Sequence, residues 1–223
     1  MTNNLKFIES YYNIENYYNV DEINTYFDKI NDDLSGGPKT NKSSAYGYAG
    51  CWDTPLRLEN IDNPIHKLLD KLKQSFGDFD LIPNNASIRH LSHPFTVHDD
   101  TGTRYILIDF LKSVGAKRYL TFLIPLSWQL ETTPGTAFFS SPPKLHEPLY
   151  REKLDILPHY SEEKQSEMAK YSVSAIFKWK NPGDLLAWKD FVFHSTLDSH
   201  TYKYSLEPDG IAKKFISLRV YQK

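Results

Sequence analysis

A single cysteine, Cys51, stands in 223 residues, so no intramolecular disulfide can form and a reducing compartment is expected. Long apolar runs are missing too: no segment approaches the roughly 18 consecutive apolar residues of a membrane-spanning helix. Met1 to Lys6 show neither the basic start nor the apolar stretch of a secretory signal, which makes the expectation a cytoplasmic protein with no membrane partner. Neither sign of charge is in excess. The 26 basic and 28 acidic residues leave a formal net charge of -2, which excludes a general polyanion-binding surface and disfavours nucleic acid as a partner. Repeats and linker-like stretches are absent as well, and the length fits one domain over 1–223.

What the chain does have is aromatic rings. Fifteen tyrosines and 13 phenylalanines suit a sheet-rich core better than a helical bundle. Tyr11, Tyr12, Tyr17 and Tyr18 open the chain and read as rings packed at an edge with their hydroxyls in water. Val20, Ile23, Phe27 and Ile30 then recur at helical spacing, with Asp21 and Glu22 near the start of that helix. A second helix opens at Asn63-Pro64, a cap followed by a first-turn proline. It carries Ile65, Leu68, Leu69, Leu72 and Phe76 on one face and stops at Gly77. Residues 1–85 therefore read as a helical support layer.

From Ala86 the texture changes to short β-branched and aromatic runs. Strands are expected near Ser87–Leu91, Tyr105–Leu111, Arg118–Leu126, Thr136–Phe139, Val173–Trp179, Asp184–Trp188 and Lys214–Tyr221, with Val114-Gly115-Ala116 as a tight connection between two of them. The class is mainly β with α, the β core occupying 86–223. Two stretches interrupt this plan. Residues 36–53 form a polar loop with embedded aromatics, a candidate lid whose plainer reading is a surface loop, and 142–170 is an insertion too long for a hairpin loop.

The chemistry concentrates in His98-Asp99-Asp100. On a strand, alternate side chains share a face, so His98 and Asp100 project together and Asp99 points away. An imidazole and a carboxylate so placed are two thirds of a facial Fe(II) site, and a second histidine completes it. His194, behind the Pro182-Gly183 turn and the run Leu185 to Trp188, is the candidate. Plainer readings stand beside each: Asp99 to Gly102 suits a turn, and His194 suits a core. The last strand brings Lys214 and Arg219 into an apolar run, where a buried cation is costly unless it meets an anion.

In order and texture, Ile88 to Asp100, Arg118 to Ser127, Gly135 to Phe139 and Pro182 to Ser195 resemble the Fe(II)- and 2-oxoglutarate-dependent dioxygenases, in particular their prolyl-hydroxylase-like branch. That resemblance, over about Ser87 to Tyr221, implies a double-stranded β-helix, the cupin-like jelly roll. It implies Fe(II) held by His98, Asp100 and His194, with 2-oxoglutarate and dioxygen as co-substrates. It further implies hydroxylation of a small molecule or a peptide side chain, with release of succinate and carbon dioxide. The family anchors 2-oxoglutarate through an Arg followed two residues later by Ser or Thr. Here Lys214 stands at the Arg position with Ile216 in place of the hydroxyl, and Arg219 shares a strand face with Ser217 instead. Both Lys214 and Arg219 are candidates for the anchor. A cupin-type isomerase, lyase or 2-oxoglutarate-independent oxygenase is the alternative enzyme, and a non-catalytic β-roll binding module the alternative of another class. Oligomeric state is not encoded in any motif.

Overall fold

The run Phe215-Ile216-Ser217-Leu218-Arg219-Val220-Tyr221 alternates in size and polarity, and its two faces bury against different partners. The computed structural model describes residues 11–33, 41–42, 51–91, 104–128, 135–139, 173–189, 192–196 and 213–223. Its elements follow the order β1 (Tyr11–Ile14), α1 (Asp21–Asp33), β2 (Asn41–Lys42), β3 (Cys51–Pro55), α2 (Ile65–Phe76), β4 (Asp80–Leu91) and α3 (Arg104–Ser113). After these come β5 (Arg118–Trp128), β6 (Gly135–Phe139), β7 (Val173–Lys178), β8 (Leu185–Lys189), β9 (Phe193–Thr196) and β10 (Lys213–Gln222).

The strands make a seven-stranded sheet in the order β1-β8-β5-β10-β4-β3-β2 and a three-stranded sheet in the order β7-β6-β9. Every pairing is antiparallel. One face of the large sheet carries Ile216, Leu218, Val220, Leu120, Phe122 and Ile124, which pack under Ile23 and Phe27 of α1 and Leu68 and Leu72 of α2. Burying a side chain such as Leu68 or Leu72 contributes about 1.5–3 kcal/mol. The other face turns Leu123, Leu186 and Trp188 toward Phe138 and Phe177 of the small sheet, and this second core makes the two sheets a sandwich.

Both predicted helices are present. The Asn63 side-chain oxygen accepts the Ile65 amide at 3.1 Å, as a cap should, and Gly77 ends α2 at φ 87° with its amide on the Lys73 carbonyl. Of the opening tyrosines, Tyr12 on the edge strand β1 and Tyr18 rest half-buried against the core, whereas Tyr17 is buried within it and its hydroxyl lies 2.8 Å from Ser75 Oγ rather than in water.

The run Tyr105–Leu111, read as a strand, is instead part of α3. Its β-branched and aromatic density favours a strand, but Leu107, Phe110, Leu111 and Val114 keep helical spacing, and they dock on Ile82, Tyr119 and Tyr221. Accordingly Gly115, at φ 68°, ends a helix rather than joining two strands, and the next amide, Ala116, returns to the Leu111 carbonyl at 2.9 Å. The N-terminal layer also contributes strands as well as helices. β1, β2 and β3 extend the large sheet, and β4 begins at Asp80, upstream of the expected change at Ala86. Residues 142–170 and most of 36–53 lie outside the described residues.

The β8 entry is held by a turn whose partners are all specific. Buried Asp184 accepts the amides of Asn16 and Lys180 at 2.8 Å and that of Asn181 at 3.0 Å. Gly183, at φ 87°, donates to the Pro125 carbonyl and accepts from the Tyr18 amide, so its backbone lies where a side chain would meet Tyr18.

Candidate metal and carboxylate site

His194 is the predicted metal ligand that the structure describes, and β9 delivers it into the sandwich. Paired with Phe138 of β6, it shares that residue's inward face, 7% exposed, with the two rings 6.1 Å apart. The Trp188 indole, on the facing sheet, lies 4.7 Å from the His194 ring. His194 Nδ1 is 2.8 Å from the Val192 carbonyl oxygen. A carbonyl has no proton to give, so Nδ1 carries a hydrogen, and in a neutral ring the lone pair then falls on Nε2. That tautomer is the one in which an imidazole ligates a metal through Nε2, and a carbonyl on the other nitrogen is the usual way of setting it.

Opposite His194, the register of three strands lines up a row of polar side chains. Trp188 of β8 pairs with Thr121 of β5, and Thr121 pairs with Arg219 of β10, so all three project from one face of the large sheet toward the small one. They are 1%, 2% and 6% exposed. One position along, Leu186, Leu123, Ser217 and Ser87 form the next row, which sets Ser217 beside Arg219 on the inner face. Neighbouring strands lie about 4.8 Å apart and facing sheets about 10 Å. His194 and Arg219 thus stand on facing sheets, two strands apart in the row.

Arg219 is oriented from the side. Its Nη1 donates to Asn85 Oδ1 at 3.1 Å. Asn85 reaches it because β4 is irregular there: the pairing with β10 jumps from Leu218–Ala86 to Val220–Leu81, and Asn84 sits in the left-handed region at φ 60°. An amide oxygen orients a guanidinium without neutralising it.

Lys214, the other anchor candidate, points the opposite way. Its ammonium pairs with Asp28 of α1 at 3.1 Å, on the helix-covered face of the sheet. Strand alternation separates it from Arg219 by one full face. His98 and Asp100 lie outside the described residues. Among the described residues no group of three or more metal-ligating side chains occurs. Trp188, Thr121 and Asn85 are members of the site that sequence reasoning did not single out. Nothing in their local sequence marks them, because it takes the β8-β5-β10 register and the β4 bulge to put them beside Arg219.

No family model matches the chain, and no curated protein does. Solved structures that overlay on it include EctD from S. alaskensis with 2-oxoglutarate and 5-hydroxyectoine. That overlay has 13% identity and a TM-score of 0.48, over 96% of this chain and 72% of that one. The non-heme alpha-ketoglutarate-dependent epimerase SnoN from nogalamycin biosynthesis overlays at 12% identity and a TM-score of 0.49, over 96% and 78%. EvdMO1 does so at 10% and 0.48, over 96% and 47%.

Proposed function

We propose that this protein is an Fe(II)- and 2-oxoglutarate-dependent oxygenase that uses dioxygen to hydroxylate a C–H bond of a small molecule or a protein side chain. One observation carries the reading: a buried imidazole with Nδ1 on a backbone carbonyl and a buried guanidinium stand on the inner faces of opposite sheets, linked by the Trp188–Thr121–Arg219 row. His194 Nε2 would hold the metal together with His98 and Asp100, two imidazoles and a carboxylate that leave open positions on an octahedral ion. Arg219, beside Ser217, would grip the distal carboxylate of 2-oxoglutarate. Its planar fork suits a carboxylate better than an ammonium does, and Lys214 is committed to Asp28 on the other face.

Two features of the chain support that placement. From β5 onward the strands switch sheets at β5–β6, β7–β8, β8–β9 and β9–β10, which is how a jelly roll, or double-stranded β-helix, wraps. Asp100 precedes the first residue of α3 by four positions, at most about 14 Å of chain. α3 docks on Tyr119 and Tyr221, one inward-facing position along from Thr121 and Arg219. In this reading the order of the anchor pair is reversed relative to the prolyl-hydroxylase-like branch, hydroxyl first and guanidinium second.

When bound, Fe(II), 2-oxoglutarate and dioxygen supply the oxidative decarboxylation that yields succinate and carbon dioxide and oxidises the substrate. The chain contributes the rest. Val192 orients the His194 ring through Nδ1, Arg219 and Ser217 would set the direction of the co-substrate, and the buried faces of the two sheets keep bulk water from the reacting centre. Protein loaded with Fe(II) under argon, given 2-oxoglutarate and then air, should form succinate. The His194→Ala protein should neither retain iron nor form succinate. Iron-loaded wild type that makes no succinate, even without a hydroxylated substrate, would remove the oxygenase reading.

A further inference from the structure

Trp188 contains a donor that the folded chain does not use. Its side chain is 1% exposed, and among the described residues its indole Nε1–H has no hydrogen-bond acceptor. Buried donors are nearly always paired, because an orphan forfeits its hydration with nothing in exchange. The surroundings of the ring are those of the candidate site. The ring packs on His194 at 4.7 Å and edge-on to Phe138 at 5.5 Å, and the residue shares its row with Thr121 and Arg219. The row thus sets an indole N–H and a guanidinium on either side of the Thr121 side chain, all three buried. Thr121 Oγ1 lies 3.3 Å from the Tyr119 hydroxyl, and that contact ties it to the end of the sandwich that α3 covers. An indole N–H and a guanidinium in one row are complementary to an anion with carboxylate acceptors, and poorly matched to a cation.

We propose that Trp188 is a binding residue for the co-substrate: its indole N–H donates to a carboxylate oxygen of 2-oxoglutarate lying between His194 and Arg219. This rests on the function proposed above and extends the anchor from one residue to a row. It also explains why a tryptophan rather than a phenylalanine occupies a position whose packing needs only the ring. The unmet N–H is a small cost in the unliganded protein that the ligand removes.

The test is calorimetric titration of 2-oxoglutarate into Mn(II)-loaded protein under argon, for wild type, Trp188→Phe, and a protein with benzothienylalanine at 188. The last keeps the bicyclic shape and loses only the N–H, so it stays informative if the smaller ring perturbs folding. Losing a hydrogen bond to a charged group should weaken binding about 10- to 100-fold in the benzothienylalanine protein. Its unliganded melting temperature should equal or exceed that of wild type, because no bond is lost there. Affinity within about twofold of wild type would overturn the assignment, as the expected loss is far larger. A clearly lower unliganded melting temperature would overturn it too, by showing that the N–H already has a partner. Wild type that fails to bind 2-oxoglutarate at all would instead bring down the oxygenase reading, and this inference with it.

Discussion

At the scale of single residues, the account turns on which cation faces the interior. Lys214 and Arg219 are five positions apart on β10, so alternation alone must send them to opposite faces, and the helices decide which face is which. The Lys214–Asp28 pair is mostly wet on the aspartate side, where such pairs contribute little. Lys214→Ala should therefore leave 2-oxoglutarate affinity within about twofold of wild type and cost at most about 1 kcal/mol of stability. Arg219→Lys keeps the charge but loses the fork and the reach to Asn85. Calorimetric titration should show at least roughly tenfold weaker binding. The reverse ranking would move the anchor to the helix side and leave the row facing His194 without its proposed role.

Elements show where backbone geometry matters more than residue type. Gly115 and Gly183 both have positive φ, yet a Cβ at Gly115 would meet open space while one at Gly183 would run into the Tyr18 backbone. Gly115→Ala should cost about 1 kcal/mol in a denaturant melt, the ordinary penalty for a left-handed alanine. Gly183→Ala should cost several times more, because the turn, β1 and the Asp184 contacts must shift together. Equal costs would mean that the turn yields to a Cβ without disturbing β1. On α3, Leu107 is buried against Ile82, Tyr119 and Tyr221. Leu107→Ala should lose about 2–5 kcal/mol by the same measurement.

The same elements show what could be read without coordinates. α1 and α2 were visible because their apolar residues recur at helical spacing and Asn63, Pro64 and Gly77 punctuate the second of them. β5, β6, β7, β8 and β10 were visible as short runs bounded by turn residues. α3 was not, since Tyr105-Ile106-Leu107-Ile108 has strand-like composition and only the docking face on β4, β5 and β10 selects the helical period. β3 was hidden in a polar stretch because its place beside β4 depends on pairing across the sheet. Of the site, His194 and the choice between two cations could be named. Trp188 and Asn85 could not, because their relation to Arg219 is a matter of register and of a bulge.

For the molecule as a whole, the sandwich separates two tasks. One face of the large sheet is an apolar seat for α1 and α2, which supply much of the buried area. The other face is partly polar, and it is enclosed by a sheet of three strands carrying His194. Thr121, Ser217, Arg219 and His194 put buried polar groups at that second interface, as expected where a fold gives up some stability to bind something. No helix among the described residues is long and apolar enough to cross a membrane.

The measurement that bears most directly on this arrangement is a crystal structure of the Mn(II)–2-oxoglutarate complex, with the ion located by its anomalous scattering. The account predicts manganese bonded to His194 Nε2, the distal carboxylate on Arg219, and a carboxylate oxygen within hydrogen-bonding distance of Trp188 Nε1. A metal bound away from His194, or a carboxylate on the helix side at Lys214, would contradict it.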